Sequence, residues 1–265
     1  MKKASVTSLI FLIASMTILL VGIQSQVLAK EEVYKLATHA AYKPWEFVDA
    51  QGNFAGIEID MVKEVERLEG IKIEVVNMPW DACIASTVQG KVNGMFGGMS
   101  ITEERKKVMD YTRPIYRIDF AIVVHEKSTL NAITALTHGA VTSANAGTTG
   151  ADWIRGNLIE KGFNTKLKIF DSYVAALQGV IKGKVDSVFV DSPTAEAYVK
   201  EMPLKIVGTV YSDEYLGWAV TNGDPLLSLL NDALNKMVKS GKLAAIYSKW
   251  GLPSIIPEPG PEKEE

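Results

Sequence analysis

Residues 90–98 read GKVNGMFGG, and residues 183–191 read GKVDSVFVD. The second stretch begins 93 residues after the first and repeats its Gly-Lys-Val and, four residues past the valine, its phenylalanine. Each follows a segment with helical spacing, Ala82 to Gln89 and Tyr173 to Lys182. Each then turns at Gly-Lys and enters a short apolar run. Glycine after a helical pattern is a stop signal, and a short apolar run bounded by turn residues suits a buried strand. A helix–turn–strand unit that occurs twice implies two lobes built alike. Open α/β sheets bind ligands beyond the carboxyl ends of their strands. Gly98 and Asp191, which close the two runs, are therefore expected to face one shared site.

Working outward, strand-like and helix-like patterns alternate. Tyr34 to Thr38 and Ile71 to Val76 read as strands, with an amphipathic helix from Ile59 to Leu68 between them, stopped at Gly70. Ala82 to Val88 reads as a helix and Val92 to Phe96 as an apolar strand. Leu226 to Val238 and Leu243 to Trp250 carry apolar residues at helical spacing, parted by Lys239-Ser240-Gly241. Strands alternating with helices predict an α/β fold with parallel sheets.

The two ends differ from this body. Met1-Lys2-Lys3 begins a leader whose apolar stretch runs from Leu9 to Ile23, and Val27-Leu28-Ala29 precedes Lys30-Glu31-Glu32. A basic start, an apolar middle and a small-residue end predict a secretory signal over residues 1–29, cleaved after Ala29. Its apolar stretch is shorter than the roughly 20 residues that span a bilayer. Export is expected, with a soluble product in the periplasm. Residues 253–265, with Pro257, Pro259, Pro261 and a Glu-Lys-Glu-Glu end, read as a disordered tail. The net charge is −3, and loss of the leader removes Lys2 and Lys3. A mildly acidic chain without a basic cluster gives no electrostatic ground for binding nucleic acid. Cys83 is the one cysteine, so no internal disulfide forms, and its apolar neighbours suggest a small core residue.

The segments ATHAAYKPWEFVDAQGNFAGIEIDMVKEV, GKVNGMFGGMSITEERKKVMDYTRPIY, NAGTTGADW, GKVDSVFVDSPTAEAYV and GKLAAIYSKWG occur in that order between residues 37 and 251. Together they resemble the bacterial extracellular solute-binding proteins of the polar amino-acid uptake type (family 3), which serve ABC transporters. The resemblance implies the periplasmic-binding-protein fold: two α/β lobes joined by a hinge, with the ligand in the cleft. Lobe 1 would comprise residues 32–117 and 215–251, and lobe 2 residues 119–213. The two crossings would lie near Ile118 and Glu214. It implies a monomer that hands an L-amino acid to an inner-membrane ABC permease, with no cofactor.

An amino acid carries a carboxylate and an ammonium, so its site needs donors on one side and acceptors on the other. Arg105 is able to grip a carboxylate with two parallel bonds, and Ser100 adds a hydroxyl. By themselves, Ser100 and Glu103 also fit a helix capping box with Arg105 on a solvated face. The resemblance matches Arg105 to the family's carboxylate-binding arginine. Gly147-Thr148-Thr149-Gly150 forms a second donor turn before a helical segment from Ala151, and no Gly-Lys-Ser/Thr follows to make it a phosphate loop. Asp191 matches the acceptor of the ligand ammonium, helped by the Gly98 carbonyl. Tyr42 and Trp80 match the aromatic flanks of the ligand side chain. Met99 and Asn145 are wall candidates. His39 stands where many relatives carry aspartate, which favours a polar, uncharged ligand side chain over a cation. Glu58 stands where a second acidic pocket residue is often found.

Three scattered histidines and one cysteine make no recognisable metal site, and His125 and His138 are expected to be exposed. The rival reading is an enzyme on the same scaffold, since cyclohexadienyl dehydratases resemble these proteins. It would need an acid to protonate a leaving hydroxyl, for which Glu58 and Glu196 are the candidates.

Overall fold

The computed structural model describes residues 32–253. The leader read over residues 1–29 and the tail beyond Pro253 lie outside the described residues. Among those described, no helix is long and apolar enough to cross a membrane.

Two five-stranded sheets organise the chain. The first contains β1 (Val33–Thr38), β5 (Lys72–Asn77), β6 (Gly94–Met95), β7 (Met109–Tyr111) and β13 (Ala219–Thr221), in the order β5-β1-β6-β13-β7. The second contains β8 (Tyr116–His125), β9 (Val141–Asn145), β10 (Lys166–Phe170), β11 (Ser187–Asp191) and β12 (Leu204–Leu216), in the order β10-β9-β11-β8-β12. A small ribbon of β2 (Ala41–Tyr42), β3 (Glu46–Val48) and β4 (Phe54–Ala55) leads from β1 toward the first helix. In each large sheet the first three strands of that order are parallel, and the next, β13 or β8, is antiparallel. The repeated motif supplies the third parallel strand of both, β6 and β11. The sequence repeat is therefore a structural repeat.

Helices cross between the strands. Helix α1 (Ile57–Glu69) follows β4, and α2 (Trp80–Val88) joins β5 to β6. In the second sheet α3 (Thr149–Ile154) follows β9, α4 (Tyr173–Ile181) joins β10 to β11, and α5 (Ser192–Val199) follows β11. Helices α6 (Leu226–Lys239) and α7 (Lys242–Lys249) return to pack on α1. The predicted stop at Gly70 is a left-handed cap at φ 65°, where the absence of a Cβ removes the steric cost.

Each sheet buries its own aromatic core. Trp45 meets Tyr116 edge-on at 5.2 Å, and Tyr116 meets Tyr247 at 5.3 Å. Under the second sheet Phe189 stacks between Phe120, at 4.8 Å, and Trp153, at 5.0 Å. Because Tyr116 and Phe120 both belong to β8, the apolar packing is continuous from one sheet to the other. Cys83 is fully buried, and burial pushes its thiol up to about 12, as expected of an inert core residue.

The chain passes between the sheets twice, after β7 and after β12. Ile118 and Glu214 are cross-strand partners in the long β8–β12 ladder, and the register slips between Val210 and Glu214. A bulge bends its strand locally. Here side chains hold it: Ser212 N–H donates to Asp119 Oδ1 at 2.9 Å, and Arg117 Nη1 donates to the Ser212 carbonyl at 2.7 Å.

Candidate functional site

The carboxyl ends of four parallel strands converge on one cavity. β1 leads into His39 and Tyr42, β6 into Gly98 and Ser100, β9 into Thr148 and Thr149, and β11 ends on Asp191. Trp80, Arg105 and Asn145 complete the set of predicted residues on its wall. Both ends of the sequence repeat therefore reach the same space, from opposite sheets. The free volume is about 30 Å³, roughly the room of one or two water molecules. A larger solute enters only if the walls part.

Direct contacts hold those walls together. The Tyr42 hydroxyl donates to Asp191 Oδ2, and its ring stacks on Tyr173 at 5.3 Å. Arg105 Nη2 donates to the Gly147 carbonyl at 2.9 Å, and Trp80 Nε1 reaches the same oxygen at 3.3 Å. Ser100 Oγ lies 3.3 Å from Thr149 Oγ1, which donates to Glu214 Oε2 at 2.7 Å. At the rim Lys43 Nζ bridges to both carboxylate oxygens of Glu201, at 2.8 and 2.9 Å. Every one of these except Thr149–Glu214 joins the first sheet's side of the cavity to the second's.

The electrostatics follow from burial. Asp191 is 6% exposed, and burial pushes its carboxyl up to about 7. The Tyr42 hydrogen bond and the Arg105 charge oppose that rise, while Glu214 adds to it. Asp191 occupies the N-cap position of α5 but makes no side-chain cap bond, so its carboxylate is committed to the cavity. Partial burial lowers the His39 imidazole, against the pull of Asp81 and Asp171. Thr148 does cap α3, accepting from Ala151 N–H at 3.3 Å, so capping and a place on the cavity wall coexist in one residue.

Two candidates stand off the wall. Glu58 is fully buried, and its carboxylate accepts the N–H groups of Gly97 at 2.8 Å and Gly98 at 3.0 Å. It sits behind the turn rather than in the pocket. Met99 is likewise buried, with its sulfur 3.4 Å from Arg105 Nη1. The capping box does not form either. Residues Arg105–Lys107 make a single 3₁₀ turn, and Thr102 Oγ1, not Ser100, accepts from the Arg105 N–H. Ser100 is instead tied by a bridge to Leu216. His138 is exposed as expected, but His125 is half-buried on β8.

Glu46 and Tyr173 line the cavity without having been singled out from sequence. Glu46 is 1% exposed, and its Oε2 has no hydrogen-bond partner. Burial, reinforced by the charges of Glu58 and Asp191, raises its carboxyl well above the usual range. Asn145 Oδ1 is a second orphaned acceptor on the same wall. Buried polar atoms normally find partners, and these two face the cavity without one. The available signal for Glu46 was a lone charge between Trp45 and Phe47 in a strand pattern.

The family model for bacterial extracellular solute-binding proteins, family 3, matches residues 34–253. A probable histidine-binding protein of Neisseria gonorrhoeae is 29% identical over 227 residues, covering 83% of each chain. A putative ABC transporter arginine-binding protein 2 of Escherichia coli (strain K12) is 30% identical over 226 residues, covering 83% of this chain and 90% of that one. The solved structure of an ancestral arginine-binding protein bound to arginine superposes with a TM-score of 0.77 at 34% identity. It covers 83% of this chain and 99% of that one. With its two repeated sheets and their shared cavity, the chain belongs to the bacterial extracellular solute-binding proteins of family 3.

Proposed function

We propose that this protein captures one L-amino acid in the periplasm, as a monomer and without chemical change, and presents it to an inner-membrane ABC permease. The observation that carries the reading is the pairing of poles on one cavity. Arg105 comes from the first sheet's side and Asp191 from the end of the second sheet's β11. Arg105, Ser100, Thr148 and Thr149 are the donors for the ligand carboxylate. Asp191 and the Gly98 carbonyl are the acceptors for its ammonium. A carboxylate held from both sides gives the lobes, residues 32–117 with 215–251 and residues 119–213, a reason to close. A ligand shifts such an equilibrium only through contacts it makes better in one state.

The ligand side chain is assigned to the region of Glu46, Asn145, His39 and Trp80. Two orphaned acceptors there favour a side chain rich in N–H donors. Arginine satisfies them best, and an amide such as glutamine is next. The relatives named for arginine and histidine support this ordering. It moves the expectation away from the purely uncharged side chain that His39 alone suggested. Of the acids considered for a dehydratase, Glu58 lies behind the turn and Glu196 is exposed on α5. The acids on the wall, Asp191 and Glu46, are assigned as acceptors for the ligand.

The test is a thermal-shift panel of the twenty amino acids on protein stripped of ligand. A ligand at 100 times its Kd adds about 2.7 kcal/mol to the folded state. Arginine is expected to give the largest rise, and mass spectrometry should recover it unchanged. A panel in which no amino acid moves the midpoint overturns the reading. Small-angle scattering on the same samples should show a smaller radius of gyration with the active ligand. An unchanged profile at saturation would replace hinge closure about Ile118 and Glu214 with a rigid pocket.

A further inference from the structure

Glu58 lies in the first turn of α1, off the cavity wall, and its carboxylate is hydrogen-bonded to the turn Gly97-Gly98. Its two carboxylate oxygens each accept one of two consecutive backbone N–H groups, at 2.8 and 3.0 Å. Consecutive N–H groups pointing one way form a concave anion site, here filled by a side chain from within the protein. The turn is also tight on its other side. A Cβ on Gly97 would stand 2.6 Å from Glu46 Oε1, and one on Gly98 2.5 Å from Tyr42 Cε1. Both glycines have positive φ, 121° and 65°. The Gly97-Gly98 peptide is therefore held between Glu58 behind and the cavity side chains Glu46 and Tyr42 in front.

We propose that Glu58 is a positioning residue for ligand binding: its carboxylate sets the Gly97-Gly98 turn so that the Gly98 carbonyl, Glu46 and Tyr42 meet the ligand in register. The proposal rests on reading the cavity as an amino-acid site. It gives the buried acid a role that contact with the ligand does not explain. Only the ionised form offers both oxygens as acceptors; protonation turns one into a donor facing an N–H. Burial raises this carboxyl to about 7, against the pull of the two N–H groups. The titratable groups that face it are Glu46 from β3 and Tyr247 from α7, and both are raised in part by its charge. The turn thus slackens as pH falls through neutrality, which lowers affinity in addition to any effect at Asp191.

The experiment follows the Gly97 and Gly98 amides of the ligand-free full chain by nitrogen–proton NMR between pH 5 and 8. It also measures L-arginine affinity over that range for wild type and Glu58→Gln. Both wild-type amides should shift downfield together as pH rises, with a midpoint near neutrality, and Glu58→Gln should abolish the shift. At pH 8 the variant should bind arginine at least tenfold more weakly, with its far-ultraviolet dichroism unchanged. Its affinity should depend less steeply on pH. Amides that do not titrate in wild type, or that titrate equally in the variant, overturn the proposal. So does arginine binding within threefold of wild type with an identical pH profile. If wild type binds no amino acid at all, the functional reading falls, while the amide titration still decides the role of Glu58.

Discussion

Asp191→Ala and Arg105→Ala should each weaken amino-acid binding by at least roughly thirtyfold, with the folded state retained. Truncating one partner of a buried, hydrogen-bonded charge pair costs about 2–5 kcal/mol, because the ligand group left behind is desolvated without compensation. Both side chains spend their hydrogen bonds at the cavity, Asp191 accepting from the Tyr42 hydroxyl. Asp191 makes no cap bond. Arg105 donates to the carbonyls of Ser100, at 3.0 Å, and Gly147, at 2.9 Å. Isothermal titration of both variants with the ligand found in the panel measures the loss. Binding within threefold of wild type would remove that residue from its pole. Asp191→Asn adds a second reading. It deletes a buried charge, so the ligand-free variant should melt higher than wild type at pH 8 while binding far more weakly. Stability and function pull in opposite directions at such a residue.

Affinity and ligand-free stability should respond to pH with opposite signs. The Asp191 carboxyl is raised from 3.8 to about 7 and that of Glu58 from 4.5 to about 7, in both cases chiefly by burial. The ligand-free fold therefore favours their neutral forms. The stability they contribute is full below about pH 4 and is lost as pH rises through 7. On the proposed reading the ligand ammonium pairs with ionised Asp191, so binding should strengthen over the same interval. With a pKa of about 7, roughly 3% of Asp191 is ionised at pH 5.5, which lowers affinity about thirtyfold from its value at pH 8. Calorimetry in buffers of different ionisation enthalpy checks this through proton release at pH 7. An uncharged ligand side chain releases the proton of Asp191. A guanidinium beside Glu46, whose carboxyl is also raised by burial, releases more. Affinity that is flat between pH 5.5 and 8 would mean that Asp191 is already ionised in the ligand-free protein.

Local chemistry made much of this protein readable from its residues. The repeat at residues 90–98 and 183–191 located equivalent strands in two sheets, because a helix–turn–strand unit is set by residues close together in the chain. Gly70 ended a helix and Thr148 began one for reasons confined to a single turn. The family resemblance singled out Arg105 and Asp191, and the fold brings both to one cavity. What sequence did not show were contacts between groups far apart along the chain. Glu58 meets Gly97 and Gly98 across 39 and 40 residues, and Tyr42 meets Asp191 across 149. The resemblance put Glu58 in the pocket, and nothing local singled out Glu46, since ionised side chains are rarely buried without partners. Glu46 and Glu58 are buried because the tertiary fold closes around them. One has backbone N–H groups for company and the other an open cavity. Which of the two holds the turn and which lines the cavity was decided by the packing of α1 and β3 against the turn after β6, and no local rule carries that information.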